Sequence, residues 1–278
     1  MKSHSRTVTI WLKEASSRLK QSGINTSRLD ALVLLEDVFG KERSWLLANP
    51  ETELTDSQLS RLDGFIERRL CHEPLAYIRH KSEFYGRDFF VDSRVLEPRP
   101  ESETIIDVLK ELPGLSQLVI IDVGTGSGAL AITAKLELPN TEVIATDIDK
   151  NCLAVARQNA QNHNAKILFF QGSLLQALPS RLLSSKNLVL LCNLPYVPDK
   201  FQLNRAALNE PRLAIFGGPD GLDVYRNLFK QCTDLKLVPG YVLTESMPPQ
   251  HKQLIDIAQV AGFRLLKADD FIQLFATA

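Results

Sequence analysis

Leu118-Val-Ile-Ile-Asp-Val-Gly-Thr-Gly-Ser-Gly-Ala-Leu-Ala-Ile-Thr-Ala-Lys-Leu-Glu-Leu138 passes from one kind of element into another. Leu118 to Asp122 is a short apolar run of the kind that makes a buried strand. Gly124 to Gly128 is a loop. Ala129 to Leu138 is rich in strong helix formers. The same alternation continues downstream. Glu142–Asp147 reads as a second strand, Asp149 caps a helix through about His163, and Lys166–Phe170 is a third strand. Asn187–Cys192 is a fourth, Asp220–Leu237 is largely helical, and Tyr241–Glu245 is a fifth. Pro248–Ala261 is a helix with proline in its first turn, and Phe263–Leu266 with Phe271–Phe275 close the chain as a strand pair. Strands alternating with helices imply an α/β fold, a Rossmann-like parallel sheet with helices on both faces.

The segments before it differ in kind. Residues 1–72 are expected to form a small all-α bundle. Val8, Leu12, Ala15 and Leu19 recur at helical spacing, Gly40 ends a second apolar face, and Thr55-Asp-Ser-Gln58 is a capping box. Residues 73–100 are a linker in which Phe84–Val91 forms a β-hairpin around a glycine-containing turn. Pro98 and Pro100 extend the chain and deliver Arg99, Glu101 and Glu103 to the next helix. Residues 101–278 hold the sheet. Pro198 to Gly221 is a long irregular connection, a length that usually carries function.

Composition narrows the class. The chain has 278 residues, 44% hydrophobic and 23% charged, with a formal net charge of −1. This is a globular balance and a poor one for a protein that grips nucleic acid mainly through phosphates. Cys71, Cys152, Cys192 and Cys232 show no paired or His-flanked spacing, so no metal site is expected and the thiols suit a reducing compartment. No apolar run approaches a membrane span, and MKSHSRTVTIWLKEASS mixes charge and apolar residues too early for a signal peptide. A cytoplasmic monomer is the expectation.

Two features carry the chemistry. Asp122-Val-Gly-Thr-Gly-Ser-Gly128, between a strand and a helix, is a nucleotide-cofactor loop. Asp147, at the end of the second strand, is placed to accept hydrogen bonds from two ribose hydroxyls. Both features also suit a nicotinamide enzyme. The fourth strand ends in Cys192-Asn-Leu-Pro-Tyr196, and that corner has a use in a methyltransferase acting on a planar nitrogen. Such a nitrogen has a delocalised lone pair. Acceptors aimed at its two N–H groups, the Asn193 side-chain oxygen and the Leu194 carbonyl, favour the charge that develops during attack. Pro195 fixes the turn, and Tyr196 can stack on a flat substrate group.

The run of motifs EPLAYI, FYG, LEPRPESE, DVGTGSGALAI, ATDID, NLPY, NEPRLAIFGGPDGLDVYR and LTESMPPQ, in that order, resembles the peptide chain release factor glutamine methyltransferase family from about Glu73 to Gln250. The resemblance implies the class I methyltransferase fold, S-adenosyl-L-methionine as methyl donor, and the Gln of the Gly-Gly-Gln motif of release factors as substrate. It implies that residues 1–72 bind the release factor. It assigns Gly124, Thr125, Gly126, Ser127, Gly128, Asp147 and Asn193 to the cofactor, with Ser173 and Leu174 flanking the adenine where the family often has an Asp and an aromatic residue. It assigns Asn193, Leu194, Pro195 and Tyr196 to catalysis and substrate binding, with Arg99 and Glu101 from the linker. The family usually has NPPY where this chain has NLPY, and PRPETE where it has PRPESE. NLPY is also the form seen in rRNA adenine dimethyltransferases, so N6-adenine methylation of RNA stays open as an alternative. A non-catalytic protein of the same fold that docks a translation factor is a second one. Near-neutral charge and a helical domain placed before the sheet weigh against the RNA enzyme.

Overall fold

The computed structural model describes residues 6–114, 117–183 and 187–278. The parts of the expected helical bundle and sheet domain that fall on residues 1–5, 115–116 and 184–186 lie outside them. The chain divides into two compact units.

The first unit comprises residues 1–81 and 204–209. Its helices are α1 (Val8–Gln21), α2 (Ser27–Phe39), α3 (Arg43–Ala48), α4 (Asp56–Leu70) and α5 (Leu75–Arg79). Thr55 and Gln58 form the expected capping box at the start of α4, and Gly40 ends α2 in the left-handed conformation. Trp11, Leu19, Leu34, Leu35, Leu62 and Ile66 make the core. Arg69 falls on the apolar face of α4 because Asp30 of α2 meets it there: the pair is buried, with Nε 2.7 Å from Oδ2. Asn209 Nδ2 donates to the His72 carbonyl at 3.1 Å within this unit.

The second unit begins with the hairpin, β1 (Ser82–Phe84) and β2 (Arg87–Phe89). Tyr85 and Gly86 both have positive φ, the geometry of a tight hairpin turn that matches strand twist. After α6 (Glu103–Lys110) the alternation runs β3 (Val119–Val123), α7 (Ala129–Glu137), β4 (Glu142–Asp147), α8 (Lys150–Asn162) and β5 (Leu168–Gln171). It continues through α9 (Ser180–Leu183), β6 (Leu188–Cys192), α10 (Arg212–Ile215), α11 (Asp223–Asp234), β7 (Tyr241–Glu245), α12 (His251–Val260), β8 (Phe263–Asp269) and β9 (Ile272–Thr277). The sheet order is β5-β4-β3-β6-β7-β9-β8, parallel except for β9. One apolar cluster fills each face, which is why β6 reads as an unbroken apolar run: every one of its residues is buried. The predicted sheet and closing strand pair are present. No helix among the described residues is long and apolar enough to cross a membrane.

Strand order reverses at β3. The chain moves to β4 and β5 on one side and returns to β6 and β7 on the other, so the carboxyl ends of β3, β4 and β6 border the crevice where open α/β sheets bind ligands.

Candidate active site

A cavity of about 310 Å³ occupies that crevice, near the lower end of the usual range for ligand pockets. Its floor is the loop after β3. Gly124 and Thr125 donate their amides to the Thr146 carbonyl at 2.8 and 2.9 Å, which locks the loop to the end of β4. Gly128 has φ +84°, and a Cβ there would lie 3.2 Å from the Ala156 backbone, so α7 starts only where glycine allows it. Gly126, at φ +55°, faces space the protein leaves free.

Two buried carboxylates share this floor. Asp122 Oδ2 accepts from the Thr125 hydroxyl at 2.6 Å and the Ala131 amide at 3.2 Å. Burial pushes its carboxyl up to about 7, with the Asp147 charge adding to the shift and those two hydrogen bonds opposing it. Asp147 accepts from the Gly126 amide at Oδ2 and the Asp149 amide at Oδ1, both at 2.9 Å. Burial raises its carboxyl as well, against those amides. Neither Asp122 nor Asp147 forms a salt bridge among the described residues. A cationic ligand would relieve both, and a ribose diol would find acceptor capacity left on Asp147.

The opposite wall is the turn after β6. Asn193 Nδ2 donates to Ser102 Oγ at 2.7 Å, and Ser102 Oγ donates to Glu245 Oε2 at 2.6 Å. Tyr196 Oη donates to Glu245 Oε1 at 2.9 Å. Asn193 Oδ1 and the Leu194 carbonyl have no hydrogen-bond partner among the described residues. Tyr225 Oη, fully buried, clasps the strand ends: it lies 2.8 Å from the Cys192 carbonyl and 2.6 Å from that of Glu245, and it accepts from the Leu194 and Glu245 amides. Gln250 Nε2 donates to the Tyr196 carbonyl at 2.8 Å. The glycines of Phe216-Gly-Gly-Pro-Asp-Gly221 pack against the same turn. A Cβ at Gly217 would fall 2.3 Å from the Pro195 carbonyl, and one at Gly221 2.0 Å from that of Tyr196. The long irregular segment thus buttresses the Asn193 corner.

The structure brings most of the sequence-predicted residues to the cavity and leaves four beside it. Gly124, Thr125, Gly126, Ser127, Asp147, Ser173 and Leu174 line it, as do Asn193, Leu194, Pro195 and Arg99. Gly128 lies behind it, at the start of α7. Tyr196 is outside the lining and is held through its hydroxyl. Glu101 and Glu103 do not line it: Glu101 is exposed, and Glu103 accepts from the Tyr85 amide at 2.8 Å. Arg99 is held by Glu210, whose oxygens both lie 2.7 Å from Nη2.

Sequence reasoning missed Ser102, Glu245, Tyr225 and Asn159. The fully buried Asn159 bonds both polar groups of the Phe90 backbone and the Ser127 carbonyl, which joins the linker to the glycine loop. Ser102 and Glu245 were visible only as members of LEPRPESE and LTES, and nothing local announces that they meet.

The sheet order, a glycine loop after its first strand and a carboxylate ending its second define a class I methyltransferase, the enzymes that draw on S-adenosyl-L-methionine. The fold likeness extends to the hMettl16 catalytic domain in complex with a MAT2A 3′UTR hairpin, with TM-score 0.54 and 15% identity, covering 83% of this chain and 84% of that one. The family described as PrmC N-terminal domain matches residues 11–79, and the Methyltransferase small domain family matches residues 101–207. A Coxiella burnetii protein named release factor glutamine methyltransferase is 37% identical over 258 residues, 91% of this chain and 92% of that protein. Proteins of the same name from Moorella thermoacetica and Deinococcus radiodurans are 37% and 35% identical, covering 90% and 86% of this chain and 89% and 85% of their own. The chain belongs to the release factor glutamine methyltransferase family.

Proposed function

We propose that this chain transfers the methyl group of S-adenosyl-L-methionine to the side-chain amide nitrogen of the Gln in the Gly-Gly-Gln motif of peptide chain release factors. One observation carries the reading. Asn193 and Leu194, whose side-chain and backbone oxygens have no partner among the described residues, stand on the wall of the same cavity as the glycine loop and Asp147. Family membership supports the substrate class.

The residues present suit the cofactor. Asp147 would take the ribose hydroxyls, the Gly126 face leaves room for the chain of the methionine, and Asp122 and Asp147 supply negative charge for a cationic molecule. Ser173 and Leu174 would flank the base. When bound, S-adenosyl-L-methionine supplies an electrophilic methyl on a sulfonium.

The acceptor side is this chain's own work. Asn193 Oδ1 and the Leu194 carbonyl take the two N–H groups of the substrate amide and turn its nitrogen toward the donor. As the nitrogen gains positive character, both acceptors interact with it more strongly than with the neutral amide, which lowers the barrier. No dedicated base is needed, because the N-methylated amide cation is a strong acid and loses its proton readily. Leu213, 65% exposed on the cavity wall, offers an apolar rim for the incoming loop. The helical unit matched as the PrmC N-terminal domain would dock the body of the release factor. The work would be done in the cytoplasm, where translation terminates.

The test is incubation with methyl-labelled cofactor and either a release factor or its Gln→Ala loop variant. Label is expected on the first alone. Label on both, or on RNA instead, would refute the assignment.

A further inference from the structure

We propose that Ser102 and Glu245 are positioning residues that set which way the Asn193 amide faces, and so make its oxygen the group offered to substrate. This rests on the acceptor role given to Asn193 above. The two ends of an asparagine amide are nearly the same size, so shape alone barely distinguishes them. One end offers an acceptor, the other two donors. A substrate amide approaching with its own N–H groups is welcomed by the oxygen and repelled by the NH2.

The proton count along the chain decides between them. Burial raises the Glu245 carboxyl, and the hydrogen bonds from Ser102 and Tyr196, one on each oxygen, oppose that rise and favour the carboxylate. A carboxylate accepting at both oxygens has no proton to give. Ser102 has one, and it goes to Glu245 Oε2 at 2.6 Å. Ser102 Oγ can then only accept from Asn193, so Nδ2 takes that position at 2.7 Å and Oδ1 is turned away from Ser102. Glu245 is held in turn: Tyr196 Oη donates to its other oxygen at 2.9 Å, and Tyr225 grips its backbone from both sides. Ser102 and Glu245 are 2% and 1% exposed, so water does not compete for these bonds. In a low-dielectric setting a carboxylate at Glu245 polarises the row of hydrogen bonds and increases electron density on Asn193 Oδ1, where the transition state requires it. The proline-rich linker thereby acquires a role in the site. Pro98 and Pro100 set the backbone that carries Ser102 into the site.

The experiment uses the full chain with a release factor and labelled cofactor. Ser102→Ala is expected to lower kcat by about 10- to 100-fold, the scale of a misoriented catalytic group. KM for the release factor and the Kd of S-adenosyl-L-methionine are expected to stay within about twofold, since neither contact is removed. Ser102→Thr keeps the hydroxyl and is expected to stay near wild-type turnover. Ser102→Cys keeps the volume but bonds poorly, and is expected to fall with Ser102→Ala. Added to Asn193→Ala, Ser102→Ala is expected to cost nothing further, because it acts through Asn193. Near-wild-type kcat in both Ser102→Ala and Ser102→Cys, or losses that multiply with that of Asn193→Ala, would overturn the proposal. Wild-type turnover in Asn193→Ala itself would remove the acceptor reading beneath it. A loss in Asn193→Ala with none in Ser102→Ala removes the positioning role alone.

Discussion

Asp122→Asn is expected to make the ligand-free protein more stable at pH 8 and no more stable at pH 4. Asp122 is buried, and its carboxyl is pushed from 3.8 up to about 7. A carboxyl whose folded value is raised contributes stability that is fully present below its unfolded value and is lost as pH rises through its folded one. For Asp122 the loss runs between about pH 4 and pH 7. The rise from 3.8 to about 7, at about 1.4 kcal/mol for each tenfold change in proton affinity, amounts to about 4 kcal/mol. The amide removes that cost. Both hydrogen bonds end on one oxygen, so an asparagine oxygen in its place keeps the Thr125 and Ala131 contacts. With an urea m-value of about 2.5 kcal/mol/M, the midpoint at pH 8 should rise by about 1.5 M.

Tryptophan fluorescence is the wrong probe, because Trp11 and Trp45 both lie in the helical unit. Amide exchange of β3 follows the sheet. The same substitution should weaken binding of the cationic cofactor. A midpoint difference between Asp122→Asn and wild type that is the same at pH 4 and pH 8 would refute the buried-charge account. So would a variant less stable than wild type at pH 8.

Two further outcomes follow from the same structure. Arg99→Ala strands the Glu210 carboxylate, whose side chain is 3% exposed, and should cost about 2–3 kcal/mol in denaturant unfolding; adding Glu210→Gln should recover much of it. Gly128→Ala combines positive φ with contact on the Ala156 backbone and should cost about 3 kcal/mol, whereas Gly126→Ala meets no neighbour and should cost about 1–2 kcal/mol while weakening the cofactor more than the fold.

Much of this molecule was legible along the chain. The unbroken apolar run of β6 and the glycine loop before α7 are local patterns, set by burial on both faces of a parallel sheet and by a turn that only glycine makes. They were enough for the α/β reading, for Asp147 at a strand end and for the Asn193 corner. The short helix Leu75–Arg79 and the buried Arg69–Asp30 pair were not legible: a five-residue helix shows too little periodicity, and a charge on an apolar face makes sense only once its partner arrives from another helix.

The sequence alone determined which residue types stand at each strand end, because side-chain alternation, turn chemistry and capping act within a few residues. Tertiary structure alone decided which of them meet. Ser102, Asn193 and Glu245 come from the start of α6, the turn after β6 and the end of β7, the last two 91 and 143 residues away from Ser102, and their hydrogen bonds exist only after the sheet has closed. Hydrogen bonding is short-ranged and directional, so the orientation of the Asn193 amide is a property of that meeting and of no segment by itself.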